Sequence, residues 1–512
     1  MVELTENHYN LQQELADALQ ALGRSIHSLE RDIIISHCEI NADHGVGVLL
    51  QRLFPNSDEL LTIRSHDLYG GQQEFGDRHF LVQGENFVTI AQQVQWLLHY
   101  YAPRRLLSVP YFPEDYRISI ALKRLYNCPL CVFIMDDQNI YSPQVPDSLV
   151  EELLYRADLC LGISRPLCDA YEGKFKRKFW FVPPVVQGHL LSTELPQSRD
   201  RSPGECRGVM IGNVWSQQWL DQLRPLCRAT GVKIDWYGNP NRDWLNFSEA
   251  ELAEDGINFK GFVPEDELIS ILRNANFAVI PTGSSGQSGD RPELTKLSLP
   301  SRSCFITATA NLPILVVGSS ESAVAQFVEN QGIGAVCTYQ AEDFSAKIDY
   351  LLQHHRSIQY QSFKLGQKLS ADGVAQWIWD SLAQGQAMDA RFEAQQKPAK
   401  VTDASVVITP NEVTYRHGTG ALIKRVFPND AQIISVRSDN HYGGEHSFGL
   451  ESYYLPQRGW SRKQVFTNIA HIFADHEVSR IFCVPYYSED VLTAFAIKEL
   501  FGVPLGIWIM DD

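Results

Sequence analysis

The sequence predicts an α/β protein built from three parallel-sheet units wound on both faces, the third a partial copy of the first. An ordered internal echo is the strongest of the three observations behind this. Ala42-Asp-His44-Gly45-Val-Gly47, followed by Arg52-Leu-Phe54-Pro55-Asn56, returns as Tyr415-Arg-His417-Gly418-Thr-Gly420, followed by Arg425-Val-Phe427-Pro428-Asn429. Tyr69-Gly70-Gly71 then returns as Tyr442-Gly443-Gly444, Val109-Pro110-Tyr111 as Val484-Pro485-Tyr486, and Ile134-Met135-Asp136-Asp137 as Ile509-Met510-Asp511-Asp512. A period this long marks duplicated domains, since solenoid repeats run roughly 20–50 residues. The second observation is the alternation of short apolar runs with helical stretches, the pattern of a parallel sheet covered on both sides. The third is a glycine loop placed directly after a strand.

Asp32–His37 reads as the first strand, and the loop at Gly45–Gly47 leads into an apolar-periodic helix. Leu106–Val109, Leu130–Ile134 and Leu159–Ile163 are further buried strands, and Phe179–Val182 is the last of this unit. Ser164 is a natural cap for a helix opening Arg165-Pro166. The first domain therefore spans 31–191. The polar stretch Ser192–Cys206 separates it from a second α/β unit over 205–385. That unit starts at Arg207–Gly212, continues through Ile234–Gly238, Ile257–Phe259, Phe277–Ile280 and Ile314–Val317, and is closed by helices at 341–385. Residues 386–404, poor in apolar side chains, read as a linker, and 405–512 as the partial repeat. Its end falls on the last residue of a buried-strand motif, so the natural chain is expected to continue into a second complete module. Residues 1–30 read as a polar amphipathic helix with Leu11, Leu15, Leu19 and Leu22 at helical spacing. Docking on the first domain is the simpler reading of that stripe. Peripheral membrane contact is the second, and the helix is not rich in the lysine or arginine that would support it.

At 512 residues with 44 basic and 61 acidic side chains, the formal charge is −17. That favours solubility and argues against a nucleic-acid or anionic-membrane surface, so an anionic ligand needs a local basic pocket. Ten scattered cysteines show no paired framework, as expected of a reducing, cytoplasmic compartment. Cys128-Pro-Leu-Cys131 has redox or zinc spacing, but the second copy carries Val503 and Gly506 there. Buried strand cysteines are the better reading, and no metal ligands are assigned. No apolar run approaches a membrane span.

Several candidate site residues fall at strand ends, where open α/β sheets bind ligands. Gly45 and Gly47 let backbone N–H groups approach a phosphate or sugar at a helix N-terminus, with a glycine-requiring turn as the plain alternative. The second copy keeps the set as His417, Gly418 and Gly420. Asp136 and Asp137, echoed by Asp511 and Asp512, have carboxylates suited to orienting sugar hydroxyls or to acid–base work. An acidic helix cap is the alternative. Tyr69-Gly70-Gly71 suggests a loop that grips a ligand or packs over the cleft.

Leu161-Gly-Ile-Ser164-Arg-Pro-Leu-Cys-Asp-Ala-Tyr171 with Phe181-Val-Pro-Pro184 resembles the end of the acceptor domain in GT-B glycosyltransferases of group 1 (family 4). Gly261-Phe-Val-Pro264-Glu-Asp-Glu-Leu268 with Ala275-Asn-Phe-Ala-Val-Ile-Pro281 is similar to that family's nucleotide-sugar domain. Leu297-Ser-Leu-Pro300-Ser301-Arg302 through Leu312-Pro313-Ile-Leu315 resembles its donor-binding segment. The resemblance covers residues 31–385 and again 405–512. It implies a GT-B-like pair of Rossmann-like domains plus a partial repeat of the first. It also implies donor phosphates against the helix begun by Ser301 and Arg302, with Gly212 and Asn213 as the donor-domain glycine loop. Two departures stand out. The family's paired glutamates are represented by Glu293 alone, and the basic pair after the glycine loop is replaced by Asn213-Val-Trp-Ser-Gln-Gln218. Arg291, Lys296 and Arg302 could supply the charge instead.

The expected function is thus transfer of a sugar from a nucleotide diphospho-sugar to a glycan or lipid-linked acceptor in polysaccharide biosynthesis, without a metal or other cofactor. His44, Asp136 and Asp137 would stand on the acceptor side. Gly45, Gly47, Gly212, Asn213, Glu293, Lys296, Ser301 and Arg302 would hold substrates. The alternatives are a GT-B-like scaffold in glycan assembly that has lost its donor residues, and a nucleotide-sugar epimerase.

Overall fold

The computed structural model describes residues 29–84, 86–194, 207–239, 244–284, 290–389, 391–392, 401–428, 432–442, 448–449, 451–457, 459–473 and 476–510. Residues 1–28, Gly443, Gly444, Asp511 and Asp512 lie outside them, and with them most of the expected N-terminal helix and the second Asp-Asp pair. Leu29 and Glu30 already belong to a strand.

The first domain runs β1 (Leu29–Ser36), α1 (Gly45–Leu53), β2 (Leu60–Arg64), β3 (Arg78–Leu81), α2 (Phe87–Leu97), β4 (Tyr101–Val109), α3 (Pro113–Tyr126), β5 (Leu130–Ile134), α4 (Asp147–Arg156), β6 (Leu159–Gly162), α5 (Arg165–Phe175) and β7 (Trp180–Phe181). Its seven strands are ordered β3-β2-β1-β4-β5-β6-β7, all parallel. β2, β5 and β6 are buried throughout and β1 from Asp32 onward, because helices cover both faces of a parallel sheet. The short β3, mostly exposed, carries no apolar run to betray it in the sequence.

The second domain runs β8 (Arg207–Ile211), α6 (Gln217–Thr230), β9 (Lys233–Tyr237), α7 (Glu249–Asp255), β10 (Ile257–Gly261), α8 (Glu265–Asn274), β11 (Phe277–Pro281), α9 (Ser301–Ala310), β12 (Ile314–Val317), α10 (Ala323–Gln331) and β13 (Gly334–Cys337). Its order is β10-β9-β8-β11-β12-β13, again parallel. α11 (Ala341–Gln353), α12 (His355–Lys368) and α13 (Val374–Gln384) follow. α13 returns to the first domain, where Trp379 packs on Phe54 (ring centroids 5.6 Å apart) and under the Arg105 guanidinium at 4.4 Å. One apolar core accordingly runs from Ile33–Ile35 through Phe305 to Trp377 and Ile378, so the two domains share buried surface.

The third domain contains β14 (Val401–Thr409), α14 (Gly418–Val426), β15 (Ile433–Arg437), β16 (Glu451–Tyr454), α15 (Arg462–Ile472), β17 (His476–Cys483), α16 (Ser488–Phe501) and β18 (Leu505–Ile507). β14 begins inside the stretch read as linker. The order β16-β15-β14-β17-β18 repeats the first five positions of the first sheet, strand for strand. This domain sits on α12, whose buried Tyr360 joins its core beside Phe501. The nine cysteines among the described residues are buried thiols, Cys128 and Cys131 included. Among the described residues, no helix is long and apolar enough to cross a membrane.

Asp32 clamps the bulge where β1 meets β4. Its carboxylate accepts from Arg104 Nε at 2.8 Å and Arg105 Nε at 3.0 Å. Burial would raise its pKa, but the two arginines outweigh burial and hold it below the usual carboxylate value. A folded pKa depressed in this way contributes stability above the unfolded value, lost as pH falls through the folded one. Asp32→Asn should cost about 3 kcal/mol near neutral pH, the low end for breaking a buried pair, since Arg104 is half in water. Urea unfolding at a series of pH values should show the wild-type advantage vanish at acid pH. A difference independent of pH would show that the ion pair is not its source.

Candidate functional site

In each parallel sheet the strand order reverses at one place, and the loops leaving the two strands there diverge to leave a crevice. In the first domain this lies between β1 and β4, and in the second between β8 and β11. The two crevices face each other across a cleft of about 660 Å³, within the range of roughly 300–1,000 Å³ for small-molecule and cofactor sites.

The β1–α1 loop forms one wall. His44 is the N-cap of α1: its Nδ1 accepts from Gly47 N–H at 3.3 Å, and its Nε2 lies 2.7 Å from the Glu39 carbonyl. A backbone N–H only donates and a carbonyl only accepts, so Nδ1 is bare and Nε2 carries the proton. Burial lowers the pKa of this ring, which keeps it neutral. His44, expected on the acceptor side, lines the cleft with both ring nitrogens engaged in holding the turn. The ring stacks on Tyr69 at 4.8 Å and 11°. Glu39 fixes the Tyr69 loop by accepting from the N–H groups of Leu68 (2.8 Å), Tyr69 (3.1 Å) and Gly71 (2.6 Å). The second copy rebuilds this frame. His417 caps α14 through Gly420 N–H, reaches the Glu412 carbonyl at 2.7 Å and stacks on Tyr442 at 4.6 Å, while Glu412 accepts from His441 and Tyr442.

The glycines divide by role. A Cβ on Gly47 would lie 2.2 Å from the Asn41 carbonyl, and one on Gly420 2.3 Å from that of Thr414. Gly45 and Gly418 have nothing within 4 Å. Gly47 and Gly420 are thus demanded by packing, whereas Gly45 lines the cleft with open space before it.

Asp136 and Asp137 part company. Asp137 accepts from the backbone N–H groups of Asn139, Ile140, Tyr141 and Ser142 at 2.7–3.3 Å, so it organises the turn after β5. That corrects the catalytic expectation for Asp137. Asp136 accepts from Tyr111 Oη at 2.5 Å and from Ser298 Oγ of the second domain at 2.8 Å. Burial raises its pKa above the ordinary carboxylate value, against those two hydrogen bonds. His37, its ring tilted 35° against Tyr111 with centroids 4.2 Å apart, also lines the cleft, and burial with neighbouring His44 and His66 pushes its pKa down to about 3.

His37, Cys38 and His44 place donor atoms within 4.8 Å of one another. A metal there would have to strip the proton that His44 gives to Glu39. The Cys38 thiol, pushed up to about 12 by burial and the Glu39 carboxylate, would also have to ionise. The cluster reads as packing.

On the facing wall, Gly212 has φ +73° and its N–H is bonded to the Tyr237 carbonyl at 2.8 Å. Arg302 Nη1 donates to the carbonyls of Ile211 (3.1 Å) and Asn213. That arginine pins the glycine loop through Nη1 while it lines the cleft. Ser301 opens α9 and lines the cleft. Lys296 pairs with Glu321 at 3.5 Å, away from the cleft. Arg291 remains on the cleft wall, its Nε on Glu293 at 3.0 Å and its Nη1 3.4 Å from the Trp215 carbonyl.

Sequence reasoning passed over Glu39, His37, Tyr111 and Ser298 as site residues. Glu39 had a signal, since Glu412 stands at the same spacing before the second histidine. Ser298 had none, because its partner lies 162 residues away.

No family model matches the chain, and no curated protein matches it. Among solved structures it is similar to Anabaena HepE in complex with UDP, at 11% identity over 69% of this chain and 100% of that one, with a TM-score of 0.49. It is also similar to WaaG, a glycosyltransferase involved in lipopolysaccharide biosynthesis (9%, 68%, 99%, 0.44), and to a UDP-N-acetylglucosamine 2-epimerase (11%, 69%, 96%, 0.40). The fold follows from this chain's own topology. Two doubly wound parallel sheets face each other across a cleft, and the last helix crosses back to the first domain, which is the GT-B architecture.

Gly47→Ala should destabilise the protein by about 1–3 kcal/mol through overpacking, whereas Gly45→Ala should change stability by less than about 0.5 kcal/mol. Chemical denaturation of the two variants side by side checks this. Equal effects would show that the first wall is not built around the histidine cap.

Proposed function

We propose that the cleft binds a nucleotide diphospho-sugar and transfers its sugar to a glycan or lipid-linked acceptor, in the manner of family 4 GT-B enzymes and without a metal. One observation carries the reading: the Gly212 loop and the N-terminus of α9 face a buried carboxyl, Asp136, held from the opposite domain. Backbone N–H groups and the helix dipole favour a diphosphate at Ser301. Arg302 keeps the loop in shape, and Arg291 is the cation that exchanges Glu293 for the leaving diphosphate, which is electrostatic stabilisation of developing charge. Glu293, once released, faces the donor sugar's hydroxyls. Asp136, ionised above its raised pKa, takes the proton of the acceptor hydroxyl as it attacks.

Calorimetry with UDP and GDP tests the donor side. Arg291→Ala should weaken the nucleotide that binds by about 1.5–3 kcal/mol, the range for hydrogen bonds to charged groups, and unchanged affinity would remove Arg291 from the site. Failure of both nucleotides to bind would favour the scaffold reading. Conversion of the sugar without release of the nucleotide would favour an epimerase.

The acceptor side is tested by Asp136→Asn. It should lower turnover about 10²–10⁴-fold, as for loss of a general base, with nucleotide affinity little changed. Wild-type activity should fall as pH drops and Asp136 takes up its proton, and this acid limb should be missing in the variant.

A further inference from the structure

The tryptophans differ widely in exposure, Trp96 lying on the surface at 78%. Trp219 and Trp236 are 2% and 0% exposed, as core residues should be. Trp215 and Trp244 are 40% and 42% exposed although they lie on each other, ring centroids 5.3 Å apart and planes 10° from parallel. They come from the loops after β8 and β9, at the strand ends that face the cleft, and Trp215 lines it. The pair is held in place. Trp244 Nε1 donates to the Val214 carbonyl at 2.9 Å, and the Trp215 carbonyl lies 3.4 Å from Arg291 Nη1. Large aromatic surface left in water forgoes roughly 25 cal/mol per Å² of burial, and a stacked, anchored pair is not a side chain that has merely failed to find the core.

We infer that Trp215 and Trp244 form a carbohydrate platform on which a pyranose ring of the glycan acceptor lies beside the donor site. The inference rests on the transferase reading and names its acceptor class. A sugar ring presents a face of C–H groups and a rim of hydroxyls. The C–H face suits the negative face of an indole, while the hydroxyls need polar partners, and Asn213 and Glu293 stand on the adjoining cleft wall. A lipid-tail acceptor would instead require a continuous apolar groove, and two indoles edged by Asn213, Arg291 and Glu293 do not make one.

Saturation-transfer NMR on the full chain, with cellohexaose, maltohexaose and UDP as separate probes, tests this. At least one hexasaccharide should show transfer to its ring C–H protons, with affinity about tenfold weaker in Trp244→Ala and largely kept in Trp244→Phe. UDP affinity should be the same in all three proteins. Failure of both hexasaccharides to bind, or binding that Trp244→Ala leaves unchanged, would overturn the platform. So would UDP affinity that falls in Trp244→Ala while hexasaccharide binding does not, since the pair would then serve the nucleobase. The two readings fail separately. Hexasaccharide binding without any nucleotide binding keeps the platform and sinks the transferase, and nucleotide binding without hexasaccharide binding does the reverse.

Discussion

A buried carboxylate organises the first wall of the cleft. Glu39 is fully buried and holds the N–H groups of Leu68, Tyr69 and Gly71, which fixes Tyr69 where His44 can stack on it. His44 in turn caps α1 and returns its other nitrogen to the Glu39 carbonyl. Remove any member and a buried polar group loses its partner, which costs about 1–3 kcal/mol. The cleft therefore has a wall whose shape is set before any ligand arrives, and preorganisation of this kind is what a binding site needs.

The second wall is placed by contacts between domains. Ser164, the cap of α5, donates to the Leu297 carbonyl, Asp136 accepts from Ser298, and Arg52 pairs with Glu265 at 2.5 Å while lying over Phe305. These polar links ride on a continuous apolar core that includes Leu297, Leu299 and Phe305. Ser298 and Ser301 lie within four residues of each other, so the segment that closes on Asp136 also presents the N-terminus of α9.

The duplicated domain separates frame from chemistry. Both copies keep the histidine cap, the glycine behind it, the buried glutamate and the stacked tyrosine. They differ around that frame: His37, which lines the cleft, becomes Pro410, and its neighbours Cys38 and Asp43 become Asn411 and Arg416. The histidine–glycine part of the repeated motif is thus a signature of how this domain folds. His44 shows the point, since a histidine between glycines suggests chemistry until its two nitrogens are followed to their partners.

The sequence by itself determined the α/β class, the alternation of strands and helices, the duplication and the strand ends at which a site would lie. Periodicity, glycine placement and repetition are local or self-referential signals, so they survive in one dimension. The short edge strand Arg78–Leu81 escaped because an exposed strand has no apolar pattern. Only the tertiary structure decided what the polar residues do. Asp136 and Asp137 are adjacent in sequence, yet one reaches a serine 162 positions away while the other binds its own turn. Arg302 and Arg291 both line the cleft, yet one is fastened by its Nη1 to the carbonyls of the glycine loop and the other pairs with Glu293. Which way a charged side chain points depends on partners brought near by folding, and that information is in no local stretch of the chain.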